Sequence, residues 1–274
     1  MTDEARRPTD LDTTRPNVAR MTDYFLGGKD NFAADRQAAE KLLTIAPEIL
    51  VMAKAAQAFQ GRVVRYLVEH GITQFINVGS GLPTQDNTHE VARSICADAR
   101  VVYVDDDPVV LSHARAILGR DPNTCVVKGD VLHPDELVAD PDLRKLIDFD
   151  RPVAILVFGV LQFIPAEDDP FGSIARLRDL MPDGSYLVLT HVVFDTRPDA
   201  AEPIVDIYKQ VLNRAEDASR TREEVLRFFD GLELVEPGLV YVREWRPDIP
   251  LAVHVSEKAW SVGGAARKGT ASDS

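Results

Sequence analysis

Three short clusters in this chain have the residue types and spacing to do chemistry. The first is Asn77-Val78-Gly79-Ser80-Gly81, at the end of the apolar run Gln74–Val78. A strand running into Gly-x-Gly can turn tightly and bring its backbone close to a ligand, with the next helix N-terminus near for polar or anionic groups. The second is Tyr103-Val104-Asp105, closing the next apolar run. A carboxylate at that place in a doubly wound fold can accept hydrogen bonds from both ribose hydroxyls of a nucleoside. The third, Lys128-Gly129-Asp130, closes the run Thr124–Lys128 and would sit beside the base. Each cluster alone could be an ordinary turn or helix cap. Three successive strand ends facing one ligand point to a nucleoside cofactor.

The loop chemistry narrows which one. A dinucleotide site calls for a third glycine beneath the pyrophosphate, in the pattern GxGxxG. Here Pro83 and Thr84 occupy that ground, and Gln85-Asp86-Asn87 follow before a helix can begin at Thr88. There is no GK[ST] of a P-loop, and no Gly-x-Ser-x-Gly elbow of a hydrolase. A cofactor without phosphates, such as S-adenosylmethionine, fits better. Asp105-Asp106-Asp107 looks friendly to a metal, yet Asp107-Pro108 is a natural helix start, and no His/Cys/Asp cluster has ligand spacing. No metal is expected.

Bases for a methyl or proton transfer are few. His191, after the fifth strand, should lie near the carboxyl-end crevice, where it serves either as a base or as a hydrogen-bonded strand terminator. Tyr24 could present a substrate-facing hydroxyl, and His89 opens the first helix after the glycine loop. His70, His113, His133 and His254 read as surface or loop residues.

These residues need elements to hold them. The runs Gln74–Val78, Val101–Val104, Thr124–Lys128, Val153–Phe158 and Ser185–Val193 read as buried strands. Helical periodicity lies between them at His89–Ile95, Pro108–Leu118, Asp135–Ile147 and Asp169–Met181. Strand and helix in alternation give a parallel sheet covered on both faces. Later come an amphipathic helix over Glu202–Glu216, the capping box of Thr221 and Glu224, and two last strands at Gly231–Gly238 and Ala259–Ala266. The fold class expected is a doubly wound α/β domain with a seven-stranded, mostly parallel sheet ending in an antiparallel pair.

Helices over Ala33–Leu43 and Glu48–Glu69 precede the first strand, so an N-terminal helical extension is expected over 15–70. The sheet domain spans 71–268, with flexible tails at 1–14 and 269–274. The Gly27-Gly28 turn, flanked by Tyr24 and Phe25, makes the extension either a lid over the crevice or a plain cover for the sheet edge. Arg15 and Arg20 there could serve an anionic ligand.

The charge balance, 31 Lys and Arg against 44 Asp and Glu for a net −13, disfavours phosphate backbones and anionic membranes as partners. Two cysteines, Cys96 and Cys125, are too few for a disulfide scaffold and read as buried thiols in a reducing cytoplasm. The N-terminus has no apolar h-region and no stretch is long enough to span a membrane, so the expected location is cytoplasmic.

Beyond spacing, the chain resembles the actinobacterial S-adenosylmethionine-dependent methyltransferase family formerly catalogued as a domain of unknown function. The resemblance runs from Arg15 to Lys268 on RPNVARMTDYFLGGKDNFAADR (Arg15–Arg36), INVGSGLPTQDNTHE (Ile76–Glu90), YVDDDPVVLSHAR (Tyr103–Arg115) and RPVAILVFGVLQFIP (Arg151–Pro165). It implies the class I methyltransferase fold, with S-adenosylmethionine as cofactor. Gly79, Ser80 and Gly81 would then line the methionine end, and Asp105 would hold the ribose hydroxyls. Asp106 would flank the adenine, Asp130 would meet its exocyclic amine, and Val131 would pack nearby. Gly159, Leu161 and Gln162 would border the methyl-bearing side. Two positions depart from the methyltransferase pattern. Asn77 replaces the usual acid before the glycines, and Gln162 stands where histidine is frequent. The implied activity is methyl transfer to a small molecule at oxygen or nitrogen. A non-catalytic cofactor-binding protein and an NAD(P)-dependent oxidoreductase are the alternatives. Oligomeric state is not legible.

Overall fold

The structure, a computed structural model, describes residues 12–83, 86–118, 121–248 and 260–269. Thr84, Gln85, His254 and most of both expected tails lie outside the described residues. Three helices come first: α1 (Val18–Phe25), α2 (Ala33–Ile45) and α3 (Ile49–Glu69). The alternating part follows as β1 (Gln74–Val78), α4 (Thr88–Arg93), β2 (Arg100–Asp105), α5 (Pro108–Leu118) and β3 (Thr124–Lys128). It continues through α6 (Pro134–Ala139), α7 (Pro141–Leu146), β4 (Ala154–Phe158), α8 (Pro170–Leu180) and β5 (Tyr186–Val192). The chain ends with α9 (Pro198–Leu212), α10 (Arg222–Leu226), β6 (Glu233–Leu234), β7 (Val240–Tyr241) and β8 (Ser261–Arg267).

The sheet runs β3-β2-β1-β4-β5-β8-β6, with β7 also paired to β8. Strands β1 to β5 are parallel and β8 is antiparallel to β5. Chain order reverses between β1 and β4, which opens a crevice at the carboxyl ends there. The sheet has eight strands rather than the expected seven, because the edge is cut in two. Pro237 has no N–H to donate and Gly238 turns at φ +87°, so hydrogen bonding to β8 breaks off after Val235 N–H, which donates to Ala265, and pairing resumes at Val240. The helix expected over Asp135–Ile147 is likewise two: the Asp140 carboxylate accepts from the N–H groups of Asp142 and Leu143 and starts α7 afresh at Pro141. Helix α9 lies earlier than expected, with Pro198 in its first turn and a left-handed Asn213 (φ 52°) at its end.

Side chains alternate across the sheet as strand geometry requires. Ile76, Val102, Ile155 and Leu187 meet α6, α7, α8 and α10 in one core, while Phe75, Val101, Leu156 and Val188 meet α3, α4 and α5 in the other. Helix α3 therefore belongs to the sheet's own covering layer. A third cluster stands apart: Met21, Phe25, Ala39, Leu42, Ile49, Ile204 and Trp260 join α1, α2 and the start of α3 to α9. The two cysteines are free, and half-buried rather than buried. Among the described residues no single helix is long and apolar enough to cross a membrane.

Candidate active site

A cavity of about 680 Å³ lies over the carboxyl ends of β1 to β5, roofed by α1, α3 and α9. That is a usual size for a small-molecule site, and its place at the switch between β1 and β4 is where open α/β sheets bind ligands.

The glycine loop forms its floor. Gly79 and Gly81 both take positive φ, +66° and +64°. The N–H groups of Gly79 and Ser80 both donate to the Val104 carbonyl, at 2.8 and 3.1 Å, which ties the loop to β2. A Cβ on Gly79 would come within 2.1 Å of Val160 Cγ2, whereas one on Gly81 would meet nothing within 4 Å. The Gly81 backbone thus fronts open space, the opening a ligand needs.

Asp105 secures the same loop from β2. One of its carboxylate oxygens accepts from Gly81 N–H at 2.9 Å and the other from Asp107 N–H at 3.0 Å. Burial pushes its pKa up to about 6 against those two bonds, with the Asp106 and Asp107 charges adding to the rise. Each oxygen retains lone-pair capacity for a further donor. Asp106 and Asp130 stand beside it on the wall, and partial burial with the Asp130 charge holds the Asp106 pKa up. Asp130 accepts from Leu132 N–H at 3.0 Å, and Val131 is buried against the cavity. Asp107 caps α5 as expected, accepting from the N–H groups of Val109 and Val110.

Asn77 lines the cavity from β1. Its amide donates to Thr88 Oγ1 at 3.2 Å, an oxygen that also accepts from Gln60 at 3.1 Å. The Asn77 carbonyl oxygen is buried with no hydrogen-bond partner among the described residues. An orphaned acceptor on the wall fits a ligand that brings a donor, such as an ammonium. This donor and acceptor set, with the open space at Gly81, suits S-adenosylmethionine.

After β4, Gly159 turns at φ +65° and donates to Thr190 Oγ1, while Gln162 accepts from Val192 N–H at 3.1 Å. Both line the cavity. Leu161 does not: its side chain is fully buried in the main core, and its carbonyl accepts from Arg220 and from Ile164 N–H. The turn at 161–163 alternates its side chains between core and cavity, so adjacent residues take different surroundings.

Both catalytic expectations change. Tyr24 is off the cavity wall, with its hydroxyl donating to the Glu40 carboxylate on α2. Helix α1 turns Val18, Thr22 and Phe25 to the cavity, and Tyr24 packs half-buried against the N-terminal cluster instead. His191 does reach the wall, but it is only 1% exposed. Its Nδ1 lies 2.6 Å from the Val192 carbonyl and so carries the proton, leaving Nε2 to face Arg220. Burial pulls its pKa down to about 4. The group is a neutral, fully engaged imidazole rather than a base. His89 is also off the wall, bonded to the Tyr103 hydroxyl.

The N-terminal helices are fastened over the cavity. Asn17 caps α1 by accepting from Arg20 N–H, and its amide donates to Asp107 at 2.5 Å. Arg20 forms a fully buried ion pair with Asp35 at 2.8 Å, so its guanidinium is engaged there and not with an anionic ligand. Gly28 packs on Asp23, whose carboxylate a Cβ would overlap at 1.9 Å. Residues the sequence reading missed are Asn17, Phe163, Tyr208, Arg220 and Trp260. The amphipathic helix expected over Glu202–Glu216 marked an apolar face without saying what it covers. Among the described residues no group of three His, Cys, Asp or Glu is placed to hold a metal ion.

Comparison with known proteins places this arrangement. A family model described as S-adenosyl methyltransferase matches residues 4–269. Among solved structures, a putative methyltransferase from Thermobifida fusca shares 42% identity, with 97% of this chain and 100% of that one covered and a TM-score of 0.89. A DUF574 family protein from Streptomyces avermitilis shares 37% identity over 94% of this chain and 100% of its own, also at 0.89. The plantazolicin methyltransferase BamL, solved with a triazolic desmethylPZN analog and SAH, shares the fold alone, with 9% identity, coverages of 92% and 96%, and a TM-score of 0.54. No curated protein matches. The dinucleotide alternative falls with these matches, and the chain belongs to the S-adenosyl methyltransferase family, as an S-adenosylmethionine-dependent enzyme that methylates a small molecule.

Proposed function

We propose that this enzyme methylates oxygen or nitrogen of its acceptor, that catalysis rests on alignment rather than on a protein base, and that a proton carried by the nucleophile passes to water at the open side of the cavity as the methyl group moves from the sulfonium to it. The observation that carries this is the state of the cavity wall. His191 has both ring nitrogens engaged and its pKa is pulled to about 4, and Gln162 has no basic atom. S-adenosylmethionine, when bound, supplies an electrophilic methyl group on a sulfonium. Asp105 holds the ribose hydroxyls through its remaining lone pairs, and Asp106 and Asp130 flank the base, with Val131 packed against it. Gly79, Ser80 and Gly81 line the methionine end, and the Asn77 carbonyl oxygen accepts from its ammonium. Gly159 and Gln162 border the methyl side, Gln162 being oriented by Val192. Helix α1 covers part of the cavity while the nucleophile is held in line. We read α1 as a lid fastened by Asn17 and Asp107.

The test is the rate of methyl transfer to a panel of phenols, carboxylic acids and amines, measured as S-adenosylhomocysteine release in wild type and His191→Gln. The proposal expects turnover of at least one acceptor, with the variant within about threefold of wild type, because only a base would matter more. A loss of a hundredfold or more with cofactor affinity unchanged would make His191 the base and contradict it.

A further inference from the structure

The cofactor residues occupy one end of the cavity, on β1, β2 and β3. The other end is built differently. Its wall is apolar and aromatic, with Phe163 against Tyr208 at a ring separation of 5.0 Å and Phe194 against Trp260 at 5.3 Å. These rings come from the loop after β4, from α9, from the loop after β5 and from the start of β8. Aromatic walls of this kind favour a ligand with its own π-face or a flat apolar body.

One polar atom on this wall is left open. Tyr208 lines the cavity half-buried, and no described residue hydrogen-bonds its hydroxyl. Its surroundings raise its pKa, so the phenol keeps its proton at any physiological pH. Trp260 is 1% exposed with its indole N–H sealed, and it contributes its ring alone. A phenol hydroxyl without a protein partner on an apolar wall is completed by a ligand that carries an oxygen.

Charge at this end argues against an ion. Arg214 is paired with Asp168 at 2.7 Å, and Lys209 lines the cavity together with Glu216 and Asp217. The rim has no cationic excess to hold an anion, and the buried wall has no counter-charge for either sign, so an ionised acceptor would pay desolvation unrepaid.

We propose that the methyl acceptor is an uncharged, flat, largely apolar ring compound with a hydroxyl, seated between Phe163 and Phe194 and held at that oxygen by Tyr208, the hydroxyl proton passing to water as the methyl group arrives. This rests on the reading of the other end of the cavity as the S-adenosylmethionine site.

The experiment uses the full chain, saturated with S-adenosylhomocysteine, and titrates 2-naphthol, naphthalene and naphthalene-2-sulfonate by equilibrium dialysis. The same titrations are run on Tyr208→Phe. Expected is one 2-naphthol per chain, bound more tightly than either of the other two. The variant should weaken it by about three- to tenfold, the worth of one hydrogen bond, with S-adenosylhomocysteine affinity unchanged. Binding of 2-naphthol no tighter than naphthalene, preference for the sulfonate, or indifference to the variant overturns the proposal while leaving the cofactor site standing. Failure of S-adenosylhomocysteine itself to bind overturns both.

Discussion

Arg220 Nη1 lies 3.4 Å from His191 Nε2, and the same guanidinium reaches the carbonyls of Leu161 and Ile164 at 2.7 Å each. One buried cation thereby joins β5 to the turn that carries Gln162, with Phe171 and Phe228 each 5.4 Å from it. Its charge is met by backbone oxygens and ring faces, which require the imidazole beside it to stay neutral.

A stability signature follows for His191. Its pKa of about 4 lies below the ordinary 6.5, so the unfolded chain binds the extra proton first as pH falls. The stabilisation from a neutral His191 is complete above pH 6.5 and is lost progressively towards pH 4, on the order of 3 kcal/mol in all. Urea denaturation of wild type and His191→Gln at pH 7 and pH 5 should show the wild type losing more stability between the two. Equal losses would mean that His191 titrates normally in the folded protein.

Asp105 shifts the other way, and binding should report it. Its pKa of about 6 means that the ligand-free carboxylate protonates at mildly acid pH. Ribose hydroxyls donate to the ionised form, so cofactor affinity should be flat above pH 7 and fall about tenfold per pH unit below 6. Calorimetry from pH 5 to pH 8 checks this. An affinity constant down to pH 5 would remove Asp105 from the ribose site.

Gly79→Ala places a methyl group 2.1 Å from Val160 Cγ2 and forces φ +66° on a residue with a Cβ. We expect a loss of about 1–3 kcal/mol in stability from the overlap and strain, together with weaker cofactor binding as the loop shifts. Gly81→Ala carries strain without overlap and should be the milder in stability; the reverse order in thermal melts would contradict the loop geometry.

The places of Gly79, Asp105 and Asp130 on the cavity wall were legible in sequence because those parts are local. A glycine turn or a terminal carboxylate declares its place from the strand before it, and Gly79, Asp105 and Asp130 stand at such places. Leu161 and Gln162 are neighbours on a tight turn whose facing no period reveals, so only Gln162 reached the cavity. Tyr24 failed by one helical position beside Phe25. Tyr208, Arg220 and Trp260 meet the site from elements far along the chain, and their roles depend on how α9 and β8 pack. The divided edge strand and the split of α6 from α7 had local signals, in Pro237-Gly238 and Asp140-Pro141.

Asn17→Ala removes both the cap on Arg20 N–H and the bond to Asp107. The expected cost is about 1 kcal/mol, concentrated in α1. Hydrogen exchange should then rise in Val18–Phe25 while β1 to β5 keep their protection. Uniform protection across α1 in the variant would show that the cap and clip carry no weight.

The central claim is that this cavity binds S-adenosylmethionine through Asp105. Its most direct test is calorimetric titration of the protein with S-adenosylmethionine, S-adenosylhomocysteine and NAD in parallel, repeated on Asp105→Ala. The account predicts micromolar, one-to-one binding of both sulfur ligands, lost in the variant, and none of NAD. Absence of binding by either sulfur ligand to the wild type, or undiminished binding to a folded Asp105→Ala, would contradict it.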